Sequence, residues 1–232
     1  MQQRQVRDIE YQLLPGTERQ TTDIVIERDG VITVRPPRWM TPEQVDDTVL
    51  SKRMWIYRNL AEWRELNVGK VEREWVNGES FLYLGRQYRL QLVADQPVSL
   101  QLKNGRFCLS QSVLLQGNAA AHHAFEAFYM AKGAAIIDKR VALYAAKVGV
   151  TPGKIAVKDI GFKWATCHRN GDLQFHWKCL LAPLTIVDYI VVHELCHLHR
   201  RDHSDAFWNE VDKVMPDYRT RKAWLRVNGA TL

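Results

Sequence analysis

His193 and His197 stand four residues apart with Glu194 beside the first of them, in the run Asp188-Tyr-Ile-Val-Val-His193-Glu194-Leu-Cys-His197-Leu-His-Arg-Arg-Asp-His203. On a helix, residues four apart share a face, so the two imidazoles can converge on one metal ion. Glu194 is rotated from His193 by about 100°, which takes its carboxylate out of the ligand direction and leaves it free to act on water held by that metal. The chemistry implied is hydrolysis with Glu194 as general base. An amphipathic helix with polar residues on its wet face is the plain alternative. It fits poorly, because Tyr189, Ile190, Val191 and Val192 lead into the pair, and buried His and Glu need partners.

Two imidazoles do not complete a catalytic zinc site, which takes three protein ligands and leaves a position open. On a straight helix His203 would lie about 9 Å beyond His197 along the axis. It can ligate only if the helix ends near His199 and the chain turns back. Leu198 to Asp202 is polar enough for that turn, although it has no Gly or Pro, and Ser204 is placed to cap a following helix. His199 faces away from His197. Glu210, a helical ligand of the type found in other H-E-x-x-H enzymes, competes with His203, and with Ser204 placed to follow a break His203 is preferred. For an oxyanion stabiliser, Tyr189, His199, Arg200 and Tyr218 are the candidates.

The elements that must position these residues follow from periodicity and turn chemistry. Ile24, Ile26, Val31 and Val34 flank Asp29-Gly30, a hairpin signal, and Pro36-Pro37 ends the second strand. Thr41-Pro42-Glu43-Gln44 reads as a capping box, and Val45, Val49, Ile56, Leu60 and Trp63 carry one helix to about Leu66. Asn67 to Ser80 is expected to be a loop. Strand patterns then run over residues 81–85, 88–92 and 98–102, and Asn104-Gly105 turns into Phe107-Cys-Leu109. A long helix is expected from about Ala119 to Val148, with Gly133 as a weak point; His122 and His123 in its first turns are left out of the site. A strand at 155–160 precedes a hairpin from Trp164 to Trp177 that turns at Asn170-Gly171. That hairpin lies just before the His193 helix, and its edge either pairs with an extended polypeptide or is simply part of the core. Two short helices, ending at Met215-Pro216 and near Asn228-Gly229, close the chain.

The fold class is thus α+β. Residues 1–116 are expected to form a β-rich region of mostly antiparallel strands with one helix. Residues 117–232 form a zincin-like catalytic region with the active-site helix and its preceding β-hairpin, and the two regions could make one compact domain. The 232 residues can bury a full core, and the composition is that of a soluble globular protein. The net charge of +6 and the pI near 9.2 permit a nucleotide or nucleic acid as partner, but the basic residues are scattered and form no run. Met1 to Asp8 lacks the apolar stretch of a signal peptide, and the apolar run from Leu180 to Val192 is broken by Pro183 and Asp188. The expectation is a cytoplasmic protein with no membrane association and no predicted oligomeric state. Cys108, Cys167, Cys179 and Cys196 form no C-x-x-C pair and read as reduced thiols.

The C-terminal half resembles the YgjP-like metallopeptidase family and, more distantly, the SprT-like zinc proteases. The residues that carry the resemblance are Trp164-Ala-Thr-Cys167, Asp188 to Leu198, His203-Ser-Asp-Ala-Phe207-Trp208, Pro216-Asp-Tyr218 and Trp224-Leu225; Ala165-Thr166 replaces the family's Gly-Ser. The resemblance implies a zinc-dependent peptidase acting on protein or peptide. It implies zinc held by His193, His197 and His203, with Glu194 as the base and the 164–177 hairpin as a rim of the cleft. Two other functions stay open on the residues alone. A nucleotide pyrophosphohydrolase could use the same metal site, although no glycine-rich phosphate loop is present. A non-catalytic zinc-containing module binding protein or nucleic acid would show steep salt dependence and an inert Glu194.

Overall fold

The computed structural model describes residues 2–18, 20–27, 30–67, 74–161 and 163–232. Asp29 of the expected first turn, residues 68–73 of the expected loop and the side chains of Trp63 and Leu66 lie outside the described part. The chain forms two compact units, Met1–Lys70 and Val71–Ala230.

The first unit begins with two antiparallel hairpins. These are β1 (Gln2–Val6) with β2 (Ile9–Leu13), and β3 (Asp23–Ile26) with β4 (Ile32–Arg35), joined through a parallel β2–β4 pair. Alternation puts Ile9, Tyr11, Ile32 and Val34 in its core, where Val45, Val49 and Ile56 join them. The expected single helix is two, α1 (Pro42–Ser51) and α2 (Arg53–Asn67), with Lys52 between them. The capping box forms as read: the Gln44 N–H donates to Thr41 Oγ1 at 3.4 Å and the Thr41 N–H to Gln44 Oε1 at 2.9 Å. Near the break, Thr48 and Ser51 hydroxyls donate to the carbonyls of Gln44 and Thr48. Such back-bonding competes with the helix ladder and bends it.

The second unit repeats the strand order of the first. Here β5 (Ser80–Tyr83), β6 (Arg86–Val93), β8 (Arg106–Ser110) and β7 (Leu100–Lys103) are neighbours in that sequence, with β6 and β8 parallel and the outer pairs antiparallel. The short α3 (Gln111–Leu114) leads into α4 (Asn118–Val148), close to the expected span. Its buried residues Ala121, Phe125, Tyr129, Gly133, Ile137, Val141 and Ala145 recur every four positions. Gly133 is not a weak point but a close approach, since a Cβ there would stand 2.9 Å from Leu180 Cδ2 and 3.1 Å from Val157 Cγ1. A third sheet has β11 (Leu173–His176) in the middle, antiparallel to β10 (Ala165–Cys167) and parallel to β9 (Ile155–Lys158). A 3-10 turn, Trp177–Leu181, then delivers the chain to α5 (Leu184–Cys196), and α6 (Asp205–Val214) and α7 (Tyr218–Asn228) follow.

One continuous core binds these elements. Phe81, Leu90, Phe107 and Leu109 from the β5–β8 sheet pack in it with Phe125 and Tyr129 of α4 and with the apolar residues of α5. The unit boundary after Lys70 therefore differs from the expected division between 116 and 117: the 80–110 strands are a wall of the second unit. The class is α+β, and among the described residues no helix is long and apolar enough to cross a membrane.

Candidate metal centre

Helix α5 is buried on nearly every side, from Ile186 to Val192 and again at Glu194, Leu195 and Cys196. Three contacts fix it. At its start, Leu84 and Gly85 in the β5–β6 turn donate their N–H groups to the carbonyls of Leu180 (2.7 Å) and Leu181 (3.1 Å). A Cβ on Gly85 would fall 2.8 Å from Pro183 Cα, so the turn fits the chain entering α5 only as glycine. In mid-helix, Asp188 accepts from Arg140 Nε and Nη2 (2.5 and 2.7 Å) and from the Tyr144 hydroxyl (3.1 Å), which ties α5 to α4. In its first turn, Arg221 donates to the Thr185 carbonyl at 2.9 Å.

The helix stops at Cys196, with His197 as its last half-helical residue. Leu198, His199 and Arg200 N–H groups turn back onto the Leu195 and Cys196 carbonyls at 3.0 Å. No glycine makes this turn, and side chains hold it instead. His197 Nδ1 lies 2.9 Å from the Arg200 carbonyl, His199 Nε2 lies 3.0 Å from the Val148 carbonyl, and Arg201 Nη1 reaches the His168 carbonyl at 2.8 Å and that of Cys167 at 3.4 Å. The chain then reverses. Ser204 takes the N-cap position of α6 with extended backbone, but its hydroxyl donates to Asp202 at 2.9 Å and not to the helix.

The reversal brings His203 onto His193. Their Nε2 atoms are 3.1 Å apart, His197 Nε2 is 3.2 Å from His193 Nε2, and one ligand atom from each of the three lies within 4.8 Å of the others. Phe207 packs against all three rings, at 5.0, 4.5 and 5.0 Å from His193, His197 and His203, and Trp208 lies 5.8 Å from His193 and from His203. Packing of this kind locks the ring orientations.

The donor set suits a transition metal. A carbonyl only accepts, so the His197 contact with Arg200 puts the proton on Nδ1 and leaves the Nε2 lone pair facing the cluster. Burial and the neighbouring imidazoles push His193 down to about 3, and burial lowers His197 and His203 as well. All three are thus neutral imidazoles near pH 7. With Nε2 unprotonated on all three, the lone pairs would face one another, and a cation among them would relieve that repulsion. Beside them, Glu194 is 6% exposed, and burial raises its carboxyl to about 7. The Cys167 N–H and the charge of Lys163 draw it partly back.

His193, His197 and His203 are brought together, with Glu194 next to His193 on α5. Glu210 is not: it pairs with Lys213 at 2.8 Å and is absent from the cluster. His199 is spent on Val148, His122 packs edge-on against Trp75, and His123 faces Glu126. Of the oxyanion candidates, Tyr189 is buried with its hydroxyl raised to about 12, mainly by burial, and Tyr218 is buried against Trp208. Missed altogether were Lys163, the Cys167 N–H, the Arg201 clasp and Lys222, whose ammonium lies 3.9 Å from the centre of the Trp208 ring. Only for Lys222 did the sequence hold a signal, its place one turn after Tyr218.

A crystal structure of the metallopeptidase zymogen of Pyrococcus abyssi abylysin is similar to this chain at 22% identity, covering 38% of this chain and 90% of that one, with a TM-score of 0.36. No curated protein matches the sequence. The family described as YgjP-like, metallopeptidase domain, matches residues 20–228, which takes in the first unit from β3 onward as well as every element around the histidine cluster. The chain therefore belongs to the YgjP-like metallopeptidase family.

Proposed function

We propose that the chain is a zinc-dependent peptidase in which His193, His197 and His203 hold the ion and Glu194 is the general base. The observation that carries this reading is the convergence of three neutral Nε2 atoms next to a buried carboxylate on the same helix. Zinc, when bound, supplies Lewis acidity that makes water nucleophilic near neutral pH and polarises a carbonyl. Glu194 takes a proton from the attacking water and later delivers it to the departing amide nitrogen. In the metal-free protein burial raises its carboxyl to about 7, which favours a group that both accepts and returns a proton. The Cys167 backbone favours the ionised carboxylate, and that same residue ends β10.

Strand β10 supports a polypeptide substrate in particular. Among the described residues it pairs only with β11, which leaves its outer edge at Ala165 to accept an extended chain by strand addition, next to the Cys167 carbonyl that Arg201 holds. The test is zinc-loaded protein incubated with an unfolded protein and, separately, with a panel of nucleoside triphosphates. Peptide-bond cleavage by the wild type, lost on Glu194→Gln with zinc content unchanged, is the expected result. Phosphate release without peptide cleavage would replace this reading with a pyrophosphohydrolase.

A further inference from the structure

We propose that Lys222 stabilises the oxyanion that forms on the scissile carbonyl at the histidine cluster; this rests on the peptidase reading above. Lys222 lies one turn after Tyr218 on α7, so both side chains leave the same face of that helix. Tyr218 stacks on Trp208 with ring centres 5.3 Å apart and planes 11° from parallel, and the Lys222 ammonium sits 3.9 Å from the Trp208 ring centre. Trp208 is in turn stacked on His203, 5.8 Å away and 28° from parallel. The indole is thus a platform that holds a cation at the edge of the ligand cluster.

The same indole lies 5.8 Å from His193, so the ammonium and two of the three imidazoles share one ring. Glu194 comes from α5 and Lys222 from α7, so base and lysine belong to different elements, as suits a reaction in which one group takes a proton from water and another meets the growing negative charge. Lys222 also lacks a counter-ion. Its neighbours Arg219 and Arg221 face Asp212 and Asp217, but among the described residues no carboxylate pairs with Lys222. An unneutralised ammonium beside three imidazoles that must bind a cation is electrostatically unfavourable in the resting protein. The arrangement becomes favourable once a negative oxygen forms between them.

The electron count is simple. As the water oxygen bonds to the carbonyl carbon, the π pair moves onto the carbonyl oxygen while Glu194 holds the released proton. Lys222 keeps its own proton and donates a hydrogen bond to that oxygen. When the pair collapses back, the C–N bond breaks and the nitrogen takes the proton from Glu194.

The same ammonium could instead bind a carboxylate already present on the substrate, and Lys222→Met separates the two. Its methylenes still cover Trp208, and Lys222 is exposed, so the fold should tolerate it. Expected is a fall in kcat on the order of 10²-fold with KM nearly unchanged, partly restored by Lys222→Arg. An equilibrium measurement runs beside it. Calorimetric affinity for a peptide phosphinate, a tetrahedral anion, should fall by a similar factor. Affinity for an intact peptide, measured in the Glu194→Gln background, and zinc content should hold. Unchanged kcat, a rise in KM alone, or equal losses for phosphinate and peptide would each overturn the proposal. If the wild type cleaves no peptide the peptidase reading itself falls and takes this role with it, whereas an active wild type with an equally active Lys222→Met removes only Lys222.

Discussion

Arg140 grips Asp188 through two parallel N–H···O bonds, five residues before His193 on the same helix. Asp188 is 6% exposed, and its second oxygen is shared with the Tyr144 hydroxyl. A bidentate guanidinium pair resists rotation as well as translation, so it sets how far α5 is turned about its axis and hence where His193 and Glu194 point. Asp188→Asn removes the charge and leaves Arg140 three-quarters buried and unpaired. A loss of about 2–3 kcal/mol is expected, below the range for a fully buried pair because Arg140 is partly wet. A urea melt reads the loss, and weaker zinc binding should accompany it.

Gly85 makes a sharper demand. Its φ of +74° is in the left-handed region, and a Cβ would press against Pro183 backbone. Gly85→Ala should cost about 2 kcal/mol or more, since neither the turn nor the start of α5 can yield without the other. Chemical denaturation checks this, with Gly78→Ala as the control: Gly78 shares the positive φ but has open space around it.

The ligand set separates cleanly by metal content. His203→Ala should lose tight zinc binding while keeping its melting profile, because His203 is exposed. Glu210→Ala should keep its zinc, since Glu210 faces Lys213. Elemental analysis after dialysis against a weak chelator distinguishes the two. The opposite pattern would transfer the third position to Glu210.

In metal-free protein Glu194 sets a pH dependence. Its carboxyl is raised from an ordinary 4.5 to about 7, so the native state keeps a proton that the unfolded chain releases. The contribution of this one group is therefore fully present below about 4.5, declines as pH rises to about 7, and is gone above that, while the three lowered imidazoles act in the opposite sense as pH falls. Glu194→Gln removes this group's decline and leaves the imidazole part in place. The variant should gain on the wild type across that window, by up to about 3 kcal/mol. Denaturation of both proteins at pH 4.5, 6 and 8 tests the sign.

Removing residues 1–70 and removing residues 1–116 should differ in kind. The shorter deletion leaves the second unit's core whole. The longer one strips Phe81, Leu90, Phe107 and Leu109 from the aromatic packing on α4. Circular dichroism and zinc uptake should report a folded 71–232 and an unfolded 117–232.

What was legible in the sequence was local. The His193–Glu194–His197 spacing, the capping box at Thr41, the span of α4 and the hairpin at Asn170-Gly171 each depend on residues a few positions apart. The break at Lys52 was readable in the same way, from Thr48 and Ser51. The turn after Cys196 was not, because its anchors lie far off in sequence: Val148 for His199 and the 167–169 carbonyls for Arg201. The same distance hid the union of the 80–110 strands with the site, which rests on Gly85 meeting Pro183.

The Arg201 clasp makes the third imidazole answerable to the hairpin. His203 stands two residues beyond an arginine whose guanidinium is held by the Cys167, His168 and Arg169 carbonyls. Whatever orders that loop steadies His203, and whatever strains it withdraws a ligand. On the proposed reading thermodynamic reciprocity follows: a chain laid along β10 and an ion at the cluster would each raise or lower the other's affinity by one shared factor. Occupancy of the centre would then report on events at the sheet edge through Arg201.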